Sequence, residues 1–396
     1  MIDQGIRAAI AIPARDEAGH LPACLDALAR QADGFGQTVD LSAVAVVVFA
    51  NNCTDSTVQV VRGIAPGAPF RLVAVEAALP PDQAHAGGAR RGAMDAAAAM
   101  LGRPDAALLT TDADGRASPD WLAANLAALA AGADAVAGSF VPDPLEVALL
   151  PPALRAREER EAAYAMLLDE LAWLIDPDPH DPWPRHGIHS GASMALSLDA
   201  YRRIGGLPAV PVGEDRALFE AVRRRGMRVR HCPAARVTVS CRLIGRAVGG
   251  MADTLSRRGL DAAAPTDPRL EPVVDAFWRF RCRHLFRRVQ AGDARPGDVL
   301  RLALALQLPA EAVARAARSA EFWRGWDAVE AASPALGRRS VPASAVAREV
   351  ATAKLLLGIV RGAASVASTA AGLLPRDRPR TPAAGLGGSP QAVPAG

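Results

Sequence analysis

Ala106-Ala107-Leu108-Leu109-Thr110-Thr111-Asp112-Ala113-Asp114-Gly115 is an apolar run that ends in two carboxylates one residue apart. Its first six residues read as a buried strand of a parallel sheet, because such strands are apolar on both faces and ligands gather at their carboxyl ends. In extended backbone, residues i and i+2 point to the same side. Asp112 and Asp114 can therefore converge on one point at the rim of a crevice. Two carboxylates that close repel unless a cation joins them, and oxygen-only ligation suits Mg²⁺ or Mn²⁺. A strand followed by an ordinary Asp-Gly turn gives the same letters, so the flanking sequence has to decide.

The flanks repeat the strand-then-loop pattern. Ala8 to Ile12 is a short apolar strand closed by Pro13-Ala14-Arg15-Asp16-Glu17, after which Leu21, Leu25 and Leu28 fall at helical spacing. Val44 to Ala50 is a second strand, ending in Asn51-Asn52-Cys53-Thr54-Asp55-Ser56-Thr57, where Thr54 or Asp55 can cap the next helix. Phe70 to Val75 reads as a third strand and His85 to Met100 as a glycine-led helix. Strands alternating with helices predict βαβ units with right-handed crossovers.

Downstream, Ser118-Pro119-Asp120 is expected to start a helix with proline in its first turn, and Asp134 to Phe140 to form a strand. Leu145 to Ile175 reads as largely helical, and Asp176 to Gly187 as a loop rich in Pro, Asp and His. Ala192 to Leu198 is a strand, Glu214 to Arg225 a helix, and Val229–His231 and Val237–Ser240 two short strands. Four helices follow: Val273–Val289, Asp298–Leu308, Ala310–Ala331 and Ser344–Ala371. The Pro, Gly, Ala and Ser content after Arg376 suits a disordered tail.

Composition narrows the function class. The 396 residues, half of them hydrophobic, allow one large core and an appendage. A net charge of +3, with no basic run interleaved with aromatics, makes no case for nucleic acid. The five cysteines include no Cys-x-x-Cys pair, which argues against zinc or a disulfide framework. The N-terminus lacks a signal-peptide layout, and the most apolar stretch, Leu355 to Leu374, is interrupted by Arg361. A soluble cytoplasmic protein with no membrane span, able at most to touch a membrane peripherally, is expected.

Four signals now stand in a fixed order: Ile12 to Glu17, Asn51 to Thr57, Asp112-Ala113-Asp114-Gly115, and Gly213-Glu214-Asp215, the last preceded by Gly191 to Leu196 and Gly205-Gly206. Together they resemble the family 2 glycosyltransferases of GT-A fold, over roughly Ile6 to Gly250. The resemblance implies an α/β, Rossmann-like GT-A domain over 1–250: a mixed, mostly parallel sheet with helices on both faces. A helical C-terminal region at 251–375 and the tail at 376–396 complete the expected organisation.

The resemblance further implies a UDP- or GDP-sugar donor, a hydroxyl acceptor, and Mg²⁺ or Mn²⁺ on Asp112 and Asp114. By position, Glu17 and Asp55 would bond the ribose and base, Pro13 and Ala14 would line the same pocket, and Ala113 would lie against the donor. A carboxylate at a strand end is a fitting acceptor for ribose hydroxyls or a uracil N–H. The same carboxylates could instead serve the helix dipole (Glu17) or cap the helix (Asp55). In His85-Ala86-Gly87-Gly88-Ala89-Arg90-Arg91-Gly92, Arg90 would reach phosphate or sugar.

Glu214-Asp215 matches the family's Glu-Asp motif. Asp215 is the first choice for the base that deprotonates the acceptor, with Glu214 second, and both could merely cap the following helix. Arg242 and Arg246, four apart after the last core strand, would close on the diphosphate. Where some metal-dependent relatives carry a histidine ligand, this chain has Ser240 and Cys241, with His231 nine residues earlier. His186 and His189 would flank the acceptor side. Two other functions share parts of this pattern: a sugar-phosphate nucleotidyltransferase, whose basic glycine-rich loop after strand one is missing here, and a non-catalytic nucleotide-sugar-binding protein.

Overall fold

Residues 8, 10 and 12 face one side of the sheet and residues 9 and 11 the other, as the two-residue period of a strand requires. In the computed structural model, which describes residues 5–373 except 209, 244 and 246–248, both faces are covered. The eight strands are β1 (Ala8–Ala14), β2 (Val44–Asn51), β3 (Arg71–Ala77), β4 (Ala107–Thr110), β5 (Arg116–Ala117), β6 (Ala135–Pro142), β7 (Met194–Ser197) and β8 (Val229–Val239). They form one sheet in the order β3-β2-β1-β4-β7-β6-β8-β5. The first four are mutually parallel, and β7 runs antiparallel between β4 and β6.

On one face Ala9, Ala11, Val47 and Leu108 pack against Ala93 and Met94 of the Ala86–Ala98 helix and Leu218 and Phe219 of the Glu214–Arg224 helix. On the other, Ile10, Ile12, Val46 and Leu109 meet Leu21 and Leu25 of the Leu21–Ala29 helix and Trp121 of the Trp121–Ala130 helix. The fold class is thus the expected α/β sheet with helices on both sides.

Pro13 sits inside β1 without loss. Ala11 accepts from Thr111 N–H, so the alternate residue Pro13 directs its missing N–H toward β4, whose pairing has already stopped at Thr110. That divergence of β1 from β4 opens the crevice at their carboxyl ends.

Several local expectations change. The two short strands after Val229 are one strand, β8, which pairs with β6 through a register shift at Gly138/Ser139. A Cβ at Gly138 would run into the Ser193 side chain and the Ala235 carbonyl, so only glycine fits there. The helix expected at Ser118 starts at Trp121, and the proline lies ahead of it, where its carbonyl accepts from Ala32 N–H. The Leu145–Ile175 stretch splits into Pro144–Leu149 and Pro152–Ile175 around Pro151-Pro152. Ala310–Ala331 splits into Ala310–Ala317 and Phe322–Ala332, with the Ser319 carbonyl between them held by Gln290. The Met251–Leu260 helix was not anticipated.

The Pro152–Ile175 helix places Tyr164, Leu168 and Leu171 in a cluster with Leu270, in a loop, and with Val273, Ala353 and Leu357 of the C-terminal helices. The boundary expected at 250 therefore runs beside a shared apolar core. A second cluster joins Phe286, Leu302, Val313 and Trp326. The tail expected at 376–396 lies outside the described residues. Among the described residues, no helix is long and apolar enough to cross a membrane.

Candidate active site

Parallel strands deliver their loops to one edge, and here the loops after β1, β2 and β4 tie to one another. Asp16, in the left-handed region at φ 55°, accepts from Thr54 N–H at 2.6 Å and Asp55 N–H at 3.2 Å. The Thr54 amide in particular holds its carboxyl below the usual carboxylate range. Asp55 in turn accepts from Thr57 N–H at 2.9 Å and from Ala18 N–H at 3.1 Å. Glu17 N–H donates to Thr57 Oγ1 at 2.9 Å. Glu17 and Asp55 are thus brought to the same corner, with Pro13 and Ala14 at the strand end beneath them. Asp55 serves as a loop staple, and the helix begins one residue later than a cap at Asp55 would give, with Ser56 ahead of Thr57.

Asp16, Cys53 and Asp55 are the single trio of ligand-type side chains among the described residues whose atoms lie within 4.8 Å of one another. Asp16 Oδ1 and both Asp55 oxygens are engaged by the hydrogen bonds just described, and the Cys53 thiol donates to the Ala14 carbonyl at 3.5 Å. They knit two loops together.

Arg90 is the centre of the arrangement. Its side chain is only 7% exposed. Nε donates to Glu214 Oε1 at 3.0 Å, Nη2 to Asp112 Oδ1 at 2.7 Å, and Nη1 to the Gly191 carbonyl at 2.8 Å and Thr110 Oγ1 at 3.3 Å. Burial opposes its charge, but Asp112 and Glu214 together hold the guanidinium above its ordinary range. The expected reach toward donor phosphate is thereby redirected inward, because two carboxylates behind it supply stronger partners than solvent. A Cβ at Gly191 would overlap this guanidinium, so glycine is required for the clasp.

The Glu214–Arg224 helix starts after Gly213, whose φ of 78° turns the chain so that Glu214 and Asp215 fall in the first turn. Glu214 is buried and spent on Arg90. Asp215 is half-buried and, among the described residues, accepts only the Arg216 N–H, at 2.7 Å. Burial pushes its carboxyl above the usual range.

On the opposite side, Arg242 Nη2 lies 3.0 Å from Asp114 Oδ2 and 3.4 Å from Glu17 Oε1. Burial and the neighbouring Asp112 charge push Asp114 up to about 6 in spite of Arg242. The buried Cys24 thiol, which donates to the Asp112 carbonyl at 3.5 Å, is also held far above its usual range, by burial and then by the charges of Asp114, Asp112 and Glu17. The pocket therefore carries more negative charge than its arginines neutralise. Ala113 is buried between the two aspartates. Arg246 lies outside the described residues.

The other expectations sort by geometry. His85 Nδ1 accepts from Gly88 N–H at 3.1 Å and caps the Ala86–Ala98 helix. His231 is buried with Nδ1 2.7 Å from Asp181 Oδ2, which fixes it as a structural histidine. Ser240 Oγ donates to Glu146 Oε2 at 2.7 Å, and the same carboxylate takes the Cys241 N–H. Glu146 thus anchors the segment that carries Arg242. Neither Glu146 nor Asp16 stood out in the sequence, because an isolated acid gives no periodic signal.

Residues 9–180 match the family described as Glycosyl transferase family 2. No curated protein matches the chain. Among solved structures, the mannosyltransferase PcManGT from Pyrobaculum calidifontis in complex with GDP-Man and Mn²⁺ is 19% identical, with 88% of this chain and 80% of that chain covered and a TM-score of 0.40. TarS 1–349 from S. aureus in complex with UDP-GlcNAc is 14% identical, with 82% and 83% covered and a TM-score of 0.44. Glucosyl-3-phosphoglycerate synthase from Mycobacterium tuberculosis, with Mn²⁺, uridine-diphosphate and phosphoglyceric acid, is 18% identical, with 66% and 82% covered and a TM-score of 0.38.

Proposed function

We infer that this chain, whose residues 9–180 match the Glycosyl transferase family 2 model, moves a sugar from a UDP- or GDP-sugar to an acceptor hydroxyl, with a divalent cation and inversion at the anomeric carbon. The observation that carries the reading is the Arg90 clasp. One guanidinium binds both Asp112, at the end of β4, and Glu214, at the start of a helix far along the chain. A leaving group near Asp112 and a base near Glu214 then belong to one crevice.

The residues fit a divalent cation. Asp112 and Asp114 offer only oxygen, Arg90 engages just one oxygen of Asp112, and burial and the Asp112 charge hold Asp114 up near 6 in spite of Arg242 at 3.0 Å. With no third ligand-type side chain beside them among the described residues, the remaining positions would fall to diphosphate oxygens and water, as Mg²⁺ and Mn²⁺ allow. When bound, Mg²⁺ or Mn²⁺ would neutralise the charge that gathers on the departing diphosphate.

The protein groups supply the rest. Glu17 and Asp55, held at one corner, accept hydrogen bonds from the ribose and base. Arg242 moves from Asp114 and Glu17 to the diphosphate, which outbids a carboxylate for a guanidinium. Asp215 removes the acceptor proton from the face opposite the leaving group, as a single inverting displacement needs. Glu214, locked on Arg90, fixes the helix start that aims Asp215.

A panel of nucleotide sugars, each with and without Mn²⁺, tests the reading by thermal shift and by nucleotide release. One donor should stabilise the chain in a metal-dependent way and be turned over. Binding without turnover under every acceptor condition would favour a nucleotide-sugar-binding protein, and release of pyrophosphate from a nucleoside triphosphate would favour a nucleotidyltransferase.

A further inference from the structure

Arg223, near the end of the Glu214–Arg224 helix, holds its guanidinium against neutral partners only. Its Nη2 lies 3.1 Å from His231 Nε2 and 3.4 Å from His189 Nε2, and its carbon stands 4.9 Å from the centre of the Trp323 ring. Because His231 Nδ1–H donates to Asp181, its Nε2 is a lone pair and brings no negative charge to Arg223. Among the described residues, no carboxylate comes within 4.0 Å of this guanidinium.

Nearby carboxylates, Asp181 and Asp178, act on Arg223 from beyond contact distance, and cations outnumber them. Asp181 is shared by Arg185 and Arg230, each at 3.1 Å, as well as by His231. Arg283 takes the Trp323 ring at 5.5 Å and shares Asp176 with Arg287. Two buried polar atoms of the same loop, Arg185 Nε and His186 Nε2, have no partner. Burial, reinforced by Arg185, pulls Arg223 down to about 10. A guanidinium carries five N–H donors in a planar fork, and Arg223 spends only Nη2 on these two ring nitrogens.

The geometry points to a subsite at Arg223 and Arg185 for a phosphate group, on the side from which the acceptor approaches Asp215. Each arginine is half-buried, so the site is screened from bulk water yet reachable. A dianion with three acceptor oxygens meets several guanidinium forks better than a carboxylate does. Asp215, Phe219 and Arg223 recur at i, i+4 and i+8 on one helix stripe, so the backbones of Asp215 and Arg223 stand about 12 Å apart along the helix. His189, stacked on Phe219 at 4.7 Å, lies between them. The anion site stands on the arginines alone; its assignment to the acceptor rests on the glycosyl-transfer reading.

The test is titration of the full chain with inorganic phosphate at constant ionic strength, read by ³¹P line broadening and calorimetry. Saturable binding is expected. Arg223→Gln and Arg185→Gln should each weaken it at least tenfold, and Arg30→Gln, just past the end of the first helix, should leave it unchanged. Circular dichroism establishes that each variant is folded, and Arg223→Lys, which keeps the charge, should lose less than Arg223→Gln. No saturable binding, or parental affinity in both glutamine variants, overturns the proposal. So does binding that Arg242→Gln removes and Arg223→Gln does not, since the anion then sits with the donor. Parallel titration with UDP and GDP separates the two readings: phosphate binding without any nucleotide binding would sink sugar transfer and leave the anion site standing.

Discussion

Arg90 Nε stands 3.0 Å from Glu214 Oε1 across 124 residues of chain, while the same guanidinium holds Asp112 at 2.7 Å. Removing it leaves a buried Glu214 and a partly buried Asp112 without a counter-charge. Arg90→Met should therefore cost about 3–5 kcal/mol in urea unfolding, as breaking a buried ion pair from one side does. Gly191→Ala, which pushes a methyl group into the guanidinium, should act in the same direction and more weakly. If both variants unfold like the parent, the clasp is not structural.

Asp215→Asn should lower turnover by about 10²–10⁴-fold while leaving nucleotide-sugar affinity intact, since the base touches only the acceptor. Because burial raises the Asp215 carboxyl, the acid limb of kcat/KM should lie above the ordinary aspartate value of about 4, with activity lost as pH falls through it and the base takes a proton. A limb at or below the ordinary value would contradict the assignment.

Asp114 shows the opposite balance of stability and function. Its folded-state value, near 6, is above its ordinary one, so its contribution to stability is full below about pH 4 and is lost as pH rises through 6. Asp114→Asn should then raise the melting temperature of the metal-free protein at pH 7.5, by up to about 2 kcal/mol in stability, and have little effect at pH 4. The same variant should abolish metal-dependent turnover. A lower melting temperature at pH 7.5 would show that the ion pair with Arg242 outweighs burial.

The histidines predict acid lability. Burial holds His186 down to about 4 and keeps His189 and His231 well below their ordinary range. A depressed folded value means stability is full above the unfolded value near 6.5 and falls as pH drops toward the folded one. Each histidine can remove up to about 1.4 kcal/mol per pH unit in that window. The urea midpoint measured from pH 7.5 to 4.5 checks this, and His186→Asn should flatten the profile.

Asp16→Ala should free Thr54 and Asp55 and weaken nucleotide binding several-fold with a small change in stability, because the loop is mostly exposed. Titration with the free nucleotide reads this directly.

The sequence by itself determined the sheet and the order of its loops. Apolar runs at Ala8, Val44 and Ala106 could only be buried strands, and strand ends made Glu17, Asp55, Asp112 and Asp114 neighbours in kind. That inference works because a strand's period and a helix's period are local. Tertiary structure alone decided the partners. Nothing near Arg90 in the chain says that its charge belongs to Asp112 and Glu214 and not to a ligand, and nothing near His231 says that it answers to Asp181. Arg223 shows the same limit in reverse: its sequence neighbours look like a solvated arginine run, yet the fold packs it against two neutral rings and a tryptophan. Pairing across a hundred residues depends on which side chains the packed layers leave facing one another, and charge is assigned only once that packing exists.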